Sequence, residues 1–306
     1  MILTASTSEA YAYLFKLLTD PGDEVLVPRP SYPLFEYLAA MESVAVKPYP
    51  LRYDGAWHID FAELEKAAGP RTRAIAIVNP NNPTGSYLKK GEWARLSAWA
   101  AALGLAILSD EVFSDFALSP DTDRISTLAA DPKGETGATV FAMSGLSKIA
   151  GLPQMKLGWI VANGPRYAAA LDGLEWIADT FLSVATPVQL ALDRLLTATE
   201  TVRNQIRERT AGNLGEARAK FGPSSAARIL RVEGGWYIVI QVPRTRTEEE
   251  WALGVLGDAD VLVQPGYFYD FESEAYLVVS LLTEPSVFRE GMQRLANYVN
   301  GYVDGH

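Results

Sequence analysis

Up to about Arg166, short apolar runs alternate with stretches in which apolar residues recur every three or four positions. Ala10, Tyr11, Leu14, Phe15 and Leu18 have helical spacing, so residues 8–18 are expected to form a helix, with Thr7 or Ser8 as its cap. Pro21-Gly22-Asp23 interrupts the chain before an expected strand at 24–27. A helix after Tyr32, a strand at 43–47 and a helix at 61–67 follow. Residues 74–78 are apolar without a break, as in a strand covered on both faces. A helix is expected over about 93–103, with strands at 105–108, 139–143 and 157–161. This alternation predicts an α/β fold with a mostly parallel central sheet and helices on both faces.

Beyond Arg166 the pattern is helical to about Lys220, with an interruption near 185–187. An apolar run at 229–232, a Gly234-Gly235 turn and a strand at 236–242 come next. An amphipathic helix begins at Glu248, residues 276–281 have strand character, and 287–299 form a closing helix. The change predicts a large domain over 1–190 and a smaller C-terminal α+β domain over 191–306. No internal repeat or low-complexity tract interrupts either.

Charge and composition narrow the chemistry. The formal net charge of -10 argues against a broad nucleic-acid surface, while leaving room for a small cationic pocket. With no cysteine, disulfides, thiolate metal sites and cysteine nucleophiles are excluded. The histidines are His58, in an expected polar turn, and His306 at the end, so neither a metal site nor a Ser-His-Asp triad is expected. No apolar run approaches the roughly 20 residues that span a bilayer. Nor is there a basic segment followed by an apolar one at the start. No membrane association is expected, and a cytoplasmic location follows by default.

Four local signals carry candidate chemistry, and each also has a plain structural reading. Ser144-Gly145-Leu146-Ser147-Lys148 follows an apolar strand; its lysine is either a desolvated nucleophilic amine or a solvated loop residue. Asn79-Pro80-Asn81-Asn82-Pro83-Thr84-Gly85 is either a tight polar turn or a loop aiming amides at a ligand. In Ser109-Asp110-Glu111 a carboxylate either pairs with a buried cation or caps a helix. Ser6-Thr7-Ser8 either caps the first helix or offers an anion site at its N-terminus. Each is expected at the carboxyl end of a parallel strand, so all four can meet in one crevice. An anion cup, an amide, a carboxylate and a lysine are the groups that pyridoxal phosphate requires.

At these residues the chain resembles the class I/II aminotransferases of fold type I, along nearly its whole length. Pro21-Gly22-Asp23-Glu24-Val25-Leu26-Val27-Pro28, followed by Pro30-Ser31-Tyr32-Pro33, is similar to one family stretch, and Asn82-Pro83-Thr84-Gly85 to another. Ser109-Asp110-Glu111-Val112 and the segment Ser144 to Lys148, with Gly151-Leu152-Pro153 and Gly158-Trp159 after it, are similar to two more. The resemblance implies that the large domain binds pyridoxal 5'-phosphate and that Lys148 carries it as a Schiff base and moves the proton. It implies that Asp110 pairs with the ring nitrogen, Asn82 bonds the phenolic oxygen and Tyr32 stacks on the ring. Ser6, Thr7 and Ser8, with Ser147 or Ser144, would hold the phosphate. Lys156 stands where the family usually has an arginine for it, keeping the charge but losing the fork. The expected reaction moves an amino group between an amino donor and a 2-oxo acid. β-Elimination, decarboxylation or a non-catalytic ligand-sensing role in a transcription regulator are the alternatives.

Three departures bear on this expectation. Phe113 replaces the tyrosine that usually adds a second donor to the phenolic oxygen. Val278 stands two residues before Ser280, where the family's arginine for the substrate carboxylate is expected; Arg289 or a partner's arginine is the alternative. The chain also begins at the phosphate cup, so it is expected to lack the family's usual N-terminal segment. The resemblance further implies cis bonds before Pro30 and Pro83, and a homodimer; in the stretch from Asp179 to Val184, Phe181 and Leu182 are expected to bury against the partner.

Overall fold

A computed structural model describes residues 1–129, 137–273 and 275–304; His306 lies outside them. Strand β1 (Ile2–Thr4) leads into helix α1 (Thr7–Leu18). The cap is Ser6, one position before the expected pair. Its Oγ accepts the Glu9 N–H at 3.2 Å, and the Glu9 carboxylate accepts the Ala5 N–H at 2.6 Å. Glu9 lies three residues after Ser6, and that reciprocal spacing selects among three consecutive hydroxyl residues.

The large sheet is built from β1, β2 (Glu24–Arg29), β3 (Ala45–Tyr53), β4 (Trp57–Ile59), β5 (Thr72–Val78), β6 (Ala106–Asp110), β7 (Val140–Gly145) and β8 (Gly158–Asn163). Their order is β1-β8-β7-β6-β5-β2-β3-β4. The five strands β3, β2, β5, β6 and β7 run parallel, as the βα alternation predicts. β8 runs against both β7 and β1, so β1 points the same way as β7. The carboxyl ends of β1, β5, β6 and β7 therefore share one edge. β4 was not expected and the strand before Ser6 was expected without bounds; three residues are too few for an alternating pattern to show. His58 lies in β4 and not in a polar turn, with Nδ1 3.5 Å from the Asp54 carboxylate.

Helix α2 (Phe35–Met41) lies with α1 on one face of this sheet, and α3 (Phe61–Ala67) and α4 (Lys90–Leu103) lie on the other. Alternate side chains of the same strands serve the two cores: Ala76, Leu108 and Phe141 meet Tyr11, Leu14 and Phe15, while Ile75, Ile107 and Val140 meet Leu64, Leu96 and Ala100. The short α5 (Leu146–Ile149) follows β7 directly, and α6 (Tyr167–Phe181) completes the first face through Leu174.

The helical stretch continues as α7 (Thr186–Ala198) and α8 (Glu200–Lys220). The remaining elements are β9 (Arg228–Ile229), β10 (Tyr237–Gln241), α9 (Glu248–Ala259), β11 (Gln264–Pro265), β12 (Tyr276–Ser280) and α10 (Pro285–Asp304). Their strands form a separate antiparallel sheet, β11-β12-β10-β9. Ile238, Ile240, Leu277 and Val279 bury one face of it under Leu214, Trp251, Phe288 and Leu295. The 190/191 division falls within α7, whose Val188, Leu192 and Leu195 pack beside Leu146 and Ile149 of α5.

Candidate functional site

A cavity of about 340 Å³ opens where β1, β5, β6 and β7 end. It brings together Ser6, Thr7, Ser8, Tyr32, Asn82, Asp110, Phe113, Ser147 and Lys148, all singled out from sequence. Ser144 and Lys156 do not line it. Ser144 is buried and turns its hydroxyl to the Glu111 carbonyl at 3.4 Å. Lys156 has a left-handed backbone at φ 49 and an exposed side chain.

At the start of α1, the N–H groups of Thr7 and Ser8 have no acceptor among the described residues. These are the donors a helix start leaves open, and the helix dipole adds partial positive charge beside them.

The asparagine-rich loop after β5 divides its amides between structure and site. Asn79 donates to the Ile125 carbonyl at 2.8 Å and accepts the Leu88 N–H at 2.9 Å. Asn81 donates to the Pro30 carbonyl and to Thr84, and accepts from Ser31 at 3.2 Å, tying this loop to the one that carries Tyr32. Asn82 is left over: it lines the cavity, and its Oδ1 is buried without a partner. The peptide bonds before Pro30 and Pro83 are cis, as expected, and so is the one before Pro80.

The two carboxylates at the end of β6 also separate. Glu111 turns away, accepting the Leu128 N–H at 2.7 Å and the Ser109 hydroxyl at 2.9 Å. Asp110 faces the cavity. Its Oδ1 accepts the Val112 N–H at 3.2 Å and its Oδ2 the Tyr11 hydroxyl at 3.4 Å. Burial pushes its carboxyl up to about 6, against the pull of those two bonds and of the Lys148 charge. Burial also lowers the Lys148 amine, and the Asp110 carboxylate opposes that shift. Lys148 Nζ lies 5.9 Å from the centre of the Phe113 ring and 5.4 Å from that of Trp236, so two aromatic rings border the amine.

Sequence reasoning placed Tyr11 in the core, where it is wholly buried, and missed that its hydroxyl reaches Asp110. A hydroxyl on an otherwise apolar helix face was the available signal. Tyr237, which also lines the cavity, carried no such mark. Val278 is buried with Trp57, Leu230, Val239 and Tyr269, and Tyr237 packs against this group. Arg289 is not its substitute: it lies on α10, exposed, 3.3 Å from Glu216.

Residues 1–292 match the family described as aminotransferase class I and II. Human tyrosine aminotransferase is 27% identical over 294 residues, covering 92% of this chain and 63% of the human protein. The chain thus spans less than two thirds of that relative's length. The glutamate-pyruvate aminotransferase AlaA of Escherichia coli is 26% identical, covering 96% of this chain and 74% of its own. Among solved structures, the tyrosine aminotransferase of Leishmania infantum superposes with a TM-score of 0.86 over 97% of this chain and 74% of that one, at 18% identity. That likeness shows the fold.

Proposed function

Because the chain belongs to the class I and II aminotransferase family, we propose that it is a pyridoxal-phosphate-dependent transaminase, exchanging an amino group between an amino donor and a carbonyl acceptor. The observation that carries this reading is the convergence of Lys148, Asp110 and Asn82 on one cavity beside the open N–H groups of α1.

The donor set fits the cofactor. Thr7 and Ser8 N–H groups, with the hydroxyls of Ser6, Thr7, Ser8 and Ser147, would hold its phosphate. Asn82 has a buried amide oxygen without a partner, and its side chain would meet the phenolic oxygen through its amide nitrogen. Asp110 has only Lys148 as a cationic influence and stays high; a protonated ring nitrogen would provide the counter-charge it lacks. Tyr32, half exposed at the cavity, would cover the ring.

When bound, the cofactor supplies an electron-withdrawing ring that stabilises negative charge on the substrate carbon. The chain does the rest. Burial shifts Lys148 toward its neutral amine, the form that attacks a carbonyl and accepts a proton from carbon. Asp110 would keep a proton on the ring nitrogen. Phe113 and Trp236 border Nζ on one side with apolar surface. We also assign a homodimer to the active form, on the exposed apolar side chains of α6 and α7.

Borohydride treatment of the cofactor-loaded protein, followed by peptide mapping, tests the assignment. The expected result is the cofactor's mass on the peptide that holds Lys148. Label on another lysine overturns it. Transfer of nitrogen from donor amines to the cofactor, followed by absorbance, tests the reaction itself.

A further inference from the structure

Helix α1 meets the cavity at two levels. Thr7 and Ser8 bring its open N–H groups there, and Tyr11 lines the same cavity one turn further on. Residues three and four apart share a helix face, which is the spacing of Tyr11 from Ser8 and from Thr7. The Tyr11 ring is wholly buried. Phe35 meets it edge-on at 5.3 Å between ring centres, and the Phe15 ring lies 6.0 Å away. This apolar packing holds the ring, and the hydroxyl reaches Asp110 Oδ2 at 3.4 Å.

Asp110 is thereby held at both oxygens. The Val112 N–H holds Oδ1 at 3.2 Å from the loop after β6, and Tyr11 holds Oδ2 from a different element. One donor on each oxygen fixes the carboxylate plane and leaves each oxygen a further lone pair. The other titratable groups around the pair are few. Glu111 raises the Asp110 carboxyl and the Lys148 charge lowers it, while Tyr49 of β3 acts on Tyr11. Glu111 itself is turned toward Ser109 and Leu128.

We infer that Tyr11 is a positioning residue of this site: its hydroxyl fixes the Asp110 carboxylate relative to the phosphate cup that the same helix carries. The inference rests on the transaminase reading and adds a residue that acts through Asp110. One helix then sets both anchors of the cofactor, its first turn at the phosphate end and its second turn at the ring-nitrogen end.

Tyr11→Phe tests this, because it keeps the ring against Phe15 and Phe35 and removes only the hydroxyl. In the loaded protein, kcat should fall about threefold to tenfold while the donor's KM stays within about twofold. Nitrogen-15 NMR of the labelled cofactor should show its ring nitrogen moving toward the unprotonated value. In cofactor-free protein, carbon-13 NMR of the Asp110 carboxyl should give a midpoint of about 6 in the wild type. The variant should raise it by about half a unit or more, since a donor that favours the anion is gone. In the wild type, Tyr11 Cζ should titrate together with that carboxyl, a reading that needs no variant. Tyr13→Phe removes a hydroxyl of the same helix, 3.3 Å from Ser183, and should move none of these. The inference is overturned if Tyr11→Phe leaves the Asp110 midpoint unchanged or lowers it, if Tyr13→Phe raises it as much, or if Tyr11 Cζ does not follow Asp110. Failure of the transaminase reading is a separate result: no nitrogen transfer by the wild type, with the carbon-13 comparison still deciding whether Tyr11 holds Asp110.

Discussion

The Tyr11 hydroxyl donates to Asp110 Oδ2 at 3.4 Å, linking helix α1 to the last residue of β6. The bond spans two elements that meet only in the folded sheet, and both groups are deeply buried. Burial makes Asp110 a costly anion, and the Tyr11 hydroxyl is the side-chain donor that steadies it.

That cost predicts a pH-dependent stability. Asp110 titrates near 3.8 when exposed and at about 6 in the fold. Below the lower value it is protonated in both states and carries no penalty. Above the higher value it is ionised in both, and the folded protein bears the full difference, about 3 kcal/mol at 1.36 kcal/mol for each unit. Asp110→Asn should therefore raise the Tm of cofactor-free protein at about pH 8 and change it little at about pH 4. Thermal unfolding across that range decides, and an equal shift at both ends would refute the account. In the loaded enzyme the same variant should lose most turnover.

Gly85 predicts a coupled loss of stability and cofactor affinity. Its φ is +68, and a Cβ there would lie 2.3 Å from Val232 Cγ2 and 2.5 Å from the Gly234 carbonyl oxygen. Its own carbonyl accepts the N–H groups of Glu233 and Gly234 at 3.1 and 2.9 Å. Gly85→Ala should cost about 1–3 kcal/mol from overpacking, with positive φ adding to it. The displaced loop carries Asn82, so cofactor affinity should fall as well. Urea unfolding and a cofactor titration read the two effects; normal affinity would show that this contact does not hold Asn82 in position.

Lys89 predicts the worth of a buried charge cluster. Its Nζ lies 2.8 Å from Glu233 and 2.8 Å from Asp121. Glu233 is 3% exposed, accepts the Tyr87 N–H at 3.2 Å and has Arg231 as its other cation. Lys89→Met strands part of that charge and should cost about 3 kcal/mol. Adding Glu233→Gln should recover part of the loss. A double variant no more stable than Lys89→Met would argue against the buried charge as the cause.

The exposed apolar side chains predict assembly. Trp176, Leu182 and Leu190 are 79%, 79% and 82% exposed. Light scattering at micromolar concentration should give a dimer mass. Leu182 has a left-handed backbone that aspartate tolerates, so Leu182→Asp should shift the mass toward monomer without unfolding the chain. A wild-type monomer would remove the homodimer assignment.

The parallel core was legible because its strands are continuous apolar runs, as at Ala74 to Val78, and because proline and glycine mark the breaks between them. The bounds of β1, and β4 as a whole, were not legible: both strands are defined by hydrogen bonds to β8 and β3, which a local pattern does not contain. The site residues Lys148, Asp110 and Asn82 came from their places after strands. The choice among Asn79, Asn81 and Asn82 came from resemblance, and the hydrogen bonds of the first two now give it a physical reason. Ser144 and Ser147 are equal by type. Only the turn from β7 into α5 separates the one facing Glu111 from the one facing the cavity.

The pairing of Ile2 with Ile160 and of Thr4 with Gly158 has a consequence for how the protein is made. The segment that carries Ser6 to Ser8 leaves the ribosome long before β8 exists. Until then β1 has no neighbour, and the first helix has no completed sheet to dock against. Such distant pairing is slow to form, so this part of the cavity settles late although it is translated before β8. Nascent chains stopped before Gly158 should therefore hold Ser6, Thr7, Ser8 and Ser147, the groups expected to touch the phosphate, and still fail to retain the cofactor.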